Sequence, residues 1–221
     1  MSSLKQRLAE GRSLLMVNPN HVSSTLAEKL TASGADAIFI DCEHGAADFQ
    51  QVQLMAKGAR LGGGFTIVRP QNQERSVITR CLNCGADGVM VPLVHTAAKA
   101  RAVVETVRYA CPDTFADKLV IVMIESLEAV DNLDEILTVE GIDVFFVGPG
   151  DLSQSMGYSP AVAAGDAGPS QCWIWWMRRW HAYGLRVVGR APWRCARMSN
   201  IWSVAGRSCS ITTPIPSSPK G

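Results

Sequence analysis

The chain has 221 residues, a formal net charge of +1 and 47% hydrophobic residues. This length suits one α/β domain with a substantial core, and so small a charge does not indicate a nucleic acid or a membrane surface as partner. The N-terminal segment has no long apolar run, which argues against a signal peptide or a transmembrane span. We therefore expect a cytoplasmic protein.

Six short apolar runs predict β-strands along the first part of the chain. Each run is almost continuously apolar and rich in β-branched or aromatic residues, which is typical of parallel strands buried on both faces. The predicted strands cover residues 14–17, 37–41, 65–69, 88–92, 119–125 and 143–148.

Amphipathic stretches between these runs predict helices. Asp48 can cap a helix over residues 49–59, and Thr96 can cap one over 97–109. Ser126 can cap a third, whose apolar face is formed by Leu127, Val130, Leu133 and Leu137. Regular alternation of strand and helix is the pattern of consecutive βα units. We therefore predict a (β/α)8 TIM-type barrel, of which six units are recognisable before residue 158.

The composition changes abruptly near Tyr158, so we divide the chain into a barrel domain (1–158) and a tail (159–221). The first part has a net charge of −6, whereas the tail has a net charge of +7 and only one acidic residue, Asp166. All six tryptophans lie in the tail. Its flanking segments are typical of loop or disordered chain. One hypothesis is a shifted reading frame after Tyr158; the rival is a basic, Trp-rich appendage that binds a partner or a membrane.

Carboxylates follow the last two predicted strands, at the edge where β/α-barrels carry their chemistry. Glu125 ends one strand and Asp151 follows the next after a Gly-Pro-Gly turn. Because neighbouring strands lie about 4.8 Å apart, the two side chains can share a ligand, and a divalent cation would relieve their mutual repulsion. Oxygen ligands favour Mg²⁺ or Mn²⁺. Alternatively, Asp151 only caps a short helix over 152–156.

An arginine and a histidine stand at the ends of two earlier strands. Arg69 offers a planar guanidinium to a carboxylate or to a developing negative charge; alternatively, it forms a structural ion pair with Asp41 or Glu43. His44 follows its strand closely, and an imidazole is the side chain best suited to proton transfer near neutral pH; alternatively, it is a satisfied loop residue. Two other histidines, His21 and His95, are weaker candidates, and His95 is expected at the rim.

Lysines and cysteines exclude two other kinds of site. A Schiff-base aldolase needs a lysine at the carboxyl end of a strand, and none of the six lysines has that position. Cys81 and Cys84 form a CxxC pair without the further ligands of a zinc site, so two small residues packed on a helix are the expected interpretation. Seven irregularly spaced cysteines do not indicate a disulfide framework.

The same segments resemble the HpcH/HpaI aldolase family. The matching pieces are DAIFIDCEHGAAD (36–48), IVRP (67–70), GADGVMVPLV (85–94), VIVMIES (120–126) and VEGIDVFFVGPGDLSQSMGY (139–158). The resemblance implies a class II pyruvate aldolase, an aldehyde-lyase that cleaves 4-hydroxy-2-oxo acids reversibly to pyruvate and an aldehyde through a metal-stabilised enolate. It further implies a small-molecule 2-oxo acid as substrate and a homo-oligomer as assembly.

Site residues are also implied by the resemblance. Glu125 and Asp151 match metal ligands, Arg69 matches the arginine that holds the pyruvyl oxygen, and His44 matches a histidine of proton transfer. Gly148 and the turn through Pro149 and Asp151 match the backbone that receives the substrate carboxylate.

Two departures from the family pattern are expected to matter. Met123 replaces a glutamine that lies beside the substrate in several members, and Asn83 replaces an aspartate that often partners the histidine. Two alternatives to the aldolase remain: a carbon–carbon lyase of the citrate-lyase β type that acts on a thioester, and a non-catalytic, truncated fragment.

Overall fold

A computed structural model describes residues 2–157 and 201–205 of the chain. The six predicted strands are present, within two residues of the expected limits. In chain order the strands are β1 (Ser13–Val17), β2 (Ala37–Asp41), β3 (Phe65–Arg69), β4 (Gly88–Val91), β5 (Leu119–Ile124), β6 (Val144–Val147) and β7 (Ile201–Ala205). The helices are α1 (Leu4–Ala9), α2 (Ser24–Ala32), α3 (Phe49–Leu61), α4 (Arg75–Asn83), α5 (Ala97–Ala110), a 3₁₀ turn (Phe115–Asp117), α6 (Leu127–Asp131), α7 (Leu133–Leu137) and α8 (Pro149–Ser155).

Strands β1 to β6 form one parallel sheet in chain order, and together with their helices they build a half-barrel. Strand β7 pairs with the outer edge of β1 in antiparallel direction, with Val17 opposite Ile201. A repeat of the βα unit would have placed a parallel strand at that edge. The described residues therefore contain six parallel βα units.

Alternating side chains divide the sheet into two apolar layers. The concave inner face carries Met16, Phe39, Ile67, Met90 and Met123, all buried in one cluster. The intervening residues point outward and pack against the helices in two further clusters. Because inward and outward positions alternate along a strand, residues 41, 69 and 125 continue the inner face at the carboxyl-terminal edge of the sheet.

Helix α1 covers the opposite, amino-terminal edge of the sheet. Leu4 and Leu8 are buried in the inner cluster. Lys5 lies 3.0 Å from Asp143, and Arg7 donates a 2.6 Å hydrogen bond to Asp36. Both acids immediately precede strands, so α1 closes one end of the half-barrel and the other end is left for the site.

The predicted helix caps are confirmed, but one helix is shorter than predicted. Asp48, Thr96 and Ser126 each accept a backbone N–H bond from the first turn of the following helix. The helix predicted after Ser126 is divided into α6 and α7 at Asn132, which ends α6 and whose side chain donates to the carbonyl of His95. Leu127 is consequently exposed rather than part of the buried face.

Residues 158–200 and 206–221, which include most of the tail, lie outside the described residues, so neither hypothesis about the origin of the tail is tested. Within the described ranges, no helix has the length and apolarity needed to cross a membrane.

Candidate active site

Asp41 and Arg69 form a two-pronged ion pair at the ends of the adjacent strands β2 and β3. Arg69 Nε and Nη2 donate to the two oxygens of Asp41 over 2.9 and 2.5 Å. Burial opposes the charge of Asp41, but the bonds and the charge of Arg69 outweigh it and lower the pKa of Asp41. The predicted structural ion pair is therefore present, and it also orients the guanidinium toward the inner face.

The same aspartate organises the turn that follows β2. One oxygen of Asp41 accepts the backbone N–H groups of Glu43 and His44, over 3.1 and 3.2 Å. Gly45 completes the turn, because a Cβ there would lie 2.2 Å from the Asp41 carbonyl oxygen. The sequence Asp-Cys-Glu-His-Gly thus presents two polar side chains beside Arg69.

Glu43 faces inward from this turn, and His44 faces solvent. Glu43 Oε2 lies 3.0 Å from Arg69 Nη1 and 3.8 Å from His44 Nε2. Burial raises the pKa of Glu43, with Arg69 opposing and Asp151 adding to the rise. The side chain of His44 is 62% exposed. An exposed imidazole next to a carboxylate can exchange protons with solvent and with a bound molecule.

Glu125 is the most deeply buried acid of the site, with 1% of its surface exposed. Its Oε1 accepts a 2.6 Å hydrogen bond from the Leu93 N–H, whereas Oε2 is buried without a hydrogen-bond partner among the described residues. Burial raises the pKa of Glu125 to about 7; the Leu93 bond opposes this shift, and the charges of Asp151 and Glu43 increase it. The negative charge of ionised Glu125 is therefore only partly compensated by its hydrogen bond and by Arg69.

Asp151 lies on the first turn of α8, next to Glu125. Strands β5 and β6 are paired up to Ile124 and Val147, which places Gly148 beside Glu125. A Cβ at Gly148 would lie 2.3 Å from Glu125 Oε2, so this glycine provides the space in which the carboxylate sits. Gly148 is the N-cap of α8, and no side chain caps this helix. The alternative that Asp151 merely caps a helix is therefore wrong.

The turn from Gly148 to Asp151 contains the backbone that the resemblance matched to binding of the substrate carboxylate. The N–H of Gly148 donates to the carbonyl of Ile124 over 3.3 Å, and Pro149 has no N–H. The backbone bonds of α8 begin with the N–H of Leu152, so the Gly150 and Asp151 N–H groups are the first-turn donors without an intrahelical acceptor. Within the turn that the resemblance matched to carboxylate binding, Gly148 contributes space and the N–H groups of Gly150 and Asp151 are the ones directed to no helical carbonyl.

The residues present fit a divalent cation. An unpaired, buried carboxylate oxygen beside a second carboxylate is a site that a cation would stabilise. Among the described side chains, no group of three or more His, Cys, Asp or Glu could hold a metal by itself. Two carboxylates fit Mg²⁺ or Mn²⁺, since Mg²⁺ usually takes one or two protein carboxylates and fills the remaining positions from substrate and water.

Other residues singled out from the sequence lie elsewhere. Asn83, which replaces the aspartate that often partners the histidine, is exposed at the end of α4, at the amino-terminal edge of the sheet, whereas His44 follows β2 at the opposite edge. Met123 is buried on the inner face, two residues before Glu125. Cys81 is buried on α4 and Cys84 ends that helix, and both thiols are free.

Sequence reasoning gave no site role to Glu43 and did not recognise the backbone of Leu93. The signal for Glu43 was available, because it lies two residues past a strand that ends in Asp41. The contribution of Leu93 depends on the path of a loop. Leu93 has a φ of +56°, a conformation that leucine rarely adopts. Residue propensities therefore could not have indicated that its N–H faces Glu125.

Comparisons with known proteins agree with this geometry. The family model described as HpcH/HpaI aldolase/citrate lyase matches residues 12–167, which extends past Tyr158. The hydroxypyruvate/pyruvate aldolase of Rhizorhabdus wittichii is 33% identical over 181 residues, 73% of this chain and 72% of that protein. The 2-keto-3-deoxy-L-rhamnonate aldolase of Escherichia coli is 32% identical over 177 residues, 70% of this chain and 66% of that protein.

Solved structures with the same fold include a citrate synthase, SbnG, with a TM-score of 0.74 and 28% identity over 86% of this chain and 83% of that one. A family protein from Burkholderia cenocepacia superimposes with a TM-score of 0.69 and 25% identity, over 85% and 83% of the two chains. The chain belongs to the HpcH/HpaI aldolase/citrate lyase family.

Proposed function

We propose that the chain is a divalent-metal-dependent aldolase that cleaves 4-hydroxy-2-oxo acids reversibly to pyruvate and an aldehyde. The observation that carries this proposal is Glu125, a buried acid with one unpaired oxygen, beside Asp151 and at the same edge of the sheet as Arg69. Family membership and the two aldolase relatives support the same reaction class.

Glu125 and Asp151 would hold Mg²⁺ or Mn²⁺. When bound, the cation withdraws electron density from the 2-oxo acid and so supplies the Lewis acidity that the carbon–carbon cleavage requires. Phe39 and Met123 are buried on the inner face, two residues before Asp41 and Glu125, so the site rests on an apolar layer.

Arg69 is suited to stabilise the substrate oxygen on which negative charge develops. A guanidinium has five N–H donors, and the bonds to Asp41 use two of them. Burial works against the charge, but Asp41, Glu43 and Glu125 outweigh it and raise the pKa of Arg69. Arg69 therefore stays charged and oriented throughout the reaction, as electrostatic stabilisation demands.

His44 is proposed to move the proton. Cleavage removes the proton of the 4-hydroxyl group, breaks the bond between carbons 3 and 4, releases the aldehyde and returns a proton to carbon 3 of the pyruvate half. An exposed imidazole near Glu43 can take the first proton and exchange it with solvent.

A thioester-dependent carbon–carbon lyase is the second candidate. One observation favours it: the citrate synthase SbnG shares the fold at 28% identity. The same pair of carboxylates would serve either substrate, so dependence on an added thioester distinguishes the two.

Pyruvate release from a 4-hydroxy-2-oxo acid tests the proposal. We expect the purified chain to release pyruvate with Mg²⁺ or Mn²⁺ and to stop in EDTA. Glu125→Gln should reduce turnover by at least about 10³-fold, whereas Glu128→Gln, which changes an exposed acid three residues later, should retain it. A folded chain without metal-dependent release from either substrate class would favour the non-catalytic alternative.

Three further features are also proposals. The resemblance favours a homo-oligomer and a TIM-type (β/α)8 barrel, and the irregular spacing of the cysteines favours a cytoplasmic location. Sedimentation of the purified chain would test the first of these, and a monomer at micromolar concentration would contradict it.

A further inference from the structure

The peptide group that joins Pro92 and Leu93 is hydrogen-bonded on both of its sides. Its carbonyl oxygen accepts from the side-chain amide of Gln73 over 3.0 Å, and its N–H donates to Glu125 Oε1 over 2.6 Å. Hydrogen bonds in such a chain polarise one another and strengthen the last bond. The Gln73 side chain is therefore linked to Glu125 through a single peptide.

Leu93 adopts a backbone conformation that its side chain does not explain. Its φ is +56°, in the left-handed region, which costs a leucine about 1 kcal/mol or more. Its side chain is 40% exposed, so burial does not hold it there. What holds it are polar contacts of the backbone: the Gln73 amide also donates to the Leu93 carbonyl, and the Leu93 N–H reaches Glu125.

The far end of the same loop is anchored separately. His95 Nδ1 lies 2.6 Å from Ser126 Oγ, and Asn132 donates to the His95 carbonyl over 2.9 Å. These contacts fix residue 95 against α6, whereas Gln73 holds the loop from the side of α4. Gln73 thus anchors the peptide that faces Glu125 through two carbonyl groups.

We propose that Gln73 is a positioning residue that acts through the Pro92–Leu93 peptide to orient Glu125, so that Oε1 is occupied and Oε2 is left to face a divalent cation. This role rests on the proposed function, since it concerns the same cation. Gln73 would thus act without contacting Glu125 or the substrate. Its hydrogen bonds also account for the left-handed conformation of Leu93.

The test compares three variants of the full 221-residue chain. Gln73→Ala and Gln73→Met both remove the amide, and Met keeps nearly the same length, which guards against a cavity effect. Gln71→Ala is the matched control, because Gln71 is an exposed glutamine two residues earlier in the same loop. Mn²⁺ affinity is measured by electron paramagnetic resonance, and the Leu93 amide is followed by ¹⁵N–¹H spectroscopy without metal.

In both Gln73 variants we expect Mn²⁺ to bind about tenfold more weakly, the usual order for a group that orients a metal ligand. We also expect the Leu93 amide proton to shift upfield as its short, charge-assisted bond weakens. Gln71→Ala should match the unmodified chain in both measurements.

An unmoved Leu93 resonance, or Mn²⁺ affinity retained within about twofold, would overturn the role of Gln73 and leave the proposed function intact. If the unmodified chain itself bound no Mn²⁺, the cation site would fail together with this role. The two failures are therefore distinguished by the behaviour of the unmodified chain.

Discussion

Two acids at the same edge of the sheet, Asp41 and Glu125, have opposite electrostatic surroundings. Asp41 is paired with Arg69 through two hydrogen bonds, and its pKa is lowered despite burial. Glu125 receives one backbone N–H, and burial together with neighbouring acids raises its pKa to about 7. On the β2–β3 side Asp41 is thus fully paired, and we call this the complete side of the site. On the β5–β6 side one oxygen of Glu125 has no hydrogen-bond partner among the described residues, and we call this the incomplete side.

This difference explains how one scaffold can separate two tasks. The complete side holds a permanent positive charge in a fixed orientation, which suits stabilisation of developing negative charge. The incomplete side holds excess negative charge in a buried place, which suits capture of a divalent cation. The two sides are coupled, because Glu43 raises the pKa of Glu125 and Glu125 helps to raise that of Arg69. We therefore expect a change on one side to have its largest effect there and a smaller effect on the other.

Replacing Arg69 should have the largest effect on stability and turnover, because Asp41 and Glu43 both lose their ion-pair partner. Arg69→Ala would leave Asp41 and Glu43 buried without their partner, at a cost of about 3–5 kcal/mol in unfolding free energy. Turnover should fall by about 10³-fold or more. Chemical denaturation and pyruvate release measure the two effects.

Arg69→Lys is the matched variant for that experiment. It keeps the charge but loses the planar pair of bonds, so it should recover part of the stability and little of the turnover. An Arg69→Ala chain with normal stability and turnover would contradict the proposed division of the site.

Acidification should weaken cation binding on the incomplete side. The carboxylate must be ionised to bind a metal, and the pKa of Glu125 is about 7. We therefore expect apparent Mn²⁺ affinity to fall by about tenfold for each pH unit below 7, or roughly 100-fold by about pH 5. Mn²⁺ titrations across this range measure it, and constant affinity down to about pH 5 would be inconsistent with a raised pKa.

Gly148→Ala should disturb the incomplete side by crowding. The added Cβ would approach Glu125 Oε2 to 2.3 Å, so the carboxylate must move; we expect about tenfold weaker Mn²⁺ binding and a loss of about 1–3 kcal/mol. Gly150→Ala, whose Cβ would meet nothing within 4 Å, is the control. Equal Mn²⁺ affinities in the two variants would show that the space at Gly148 is not needed.

Much of this architecture could be predicted from residue pattern. Strands β2 and β3 were predicted at their observed limits, because continuous apolar runs end at a charged residue in both. The strand-end positions of Arg69, Glu125 and Asp151 likewise predicted that these three side chains lie at one edge of the sheet, as observed.

The residue pattern could not predict features that depend on the paths of loops or on side-chain contacts between residues distant in sequence. Helix α6 ends early because the Asn132 side chain bonds the loop at His95, a partner distant in sequence. The contact of Leu93 with Glu125 needs a left-handed leucine, and the space at Gly148 is apparent only once β5 and β6 are paired. For the tail, sequencing the gene would distinguish a shifted reading frame from a basic, Trp-rich appendage.

The central claim is tested most directly by urea unfolding of the unmodified chain and Glu125→Gln at about pH 8. Because the folded-state pKa of Glu125 lies above its ordinary value of 4.5, ionisation costs stability increasingly from about pH 4.5 upward and fully above about pH 7, by about 3 kcal/mol. The unpaired amide of glutamine offsets about 1 kcal/mol or more of the relief.

We therefore predict that Glu125→Gln is more stable than the unmodified chain by about 1–2 kcal/mol at about pH 8 without metal, and loses this advantage at about pH 4.5. Mn²⁺ at about 100 times its dissociation constant should stabilise only the unmodified chain, by about 2.7 kcal/mol. A Glu125→Gln chain that is less stable at about pH 8 without metal, or that Mn²⁺ stabilises equally, would contradict the account.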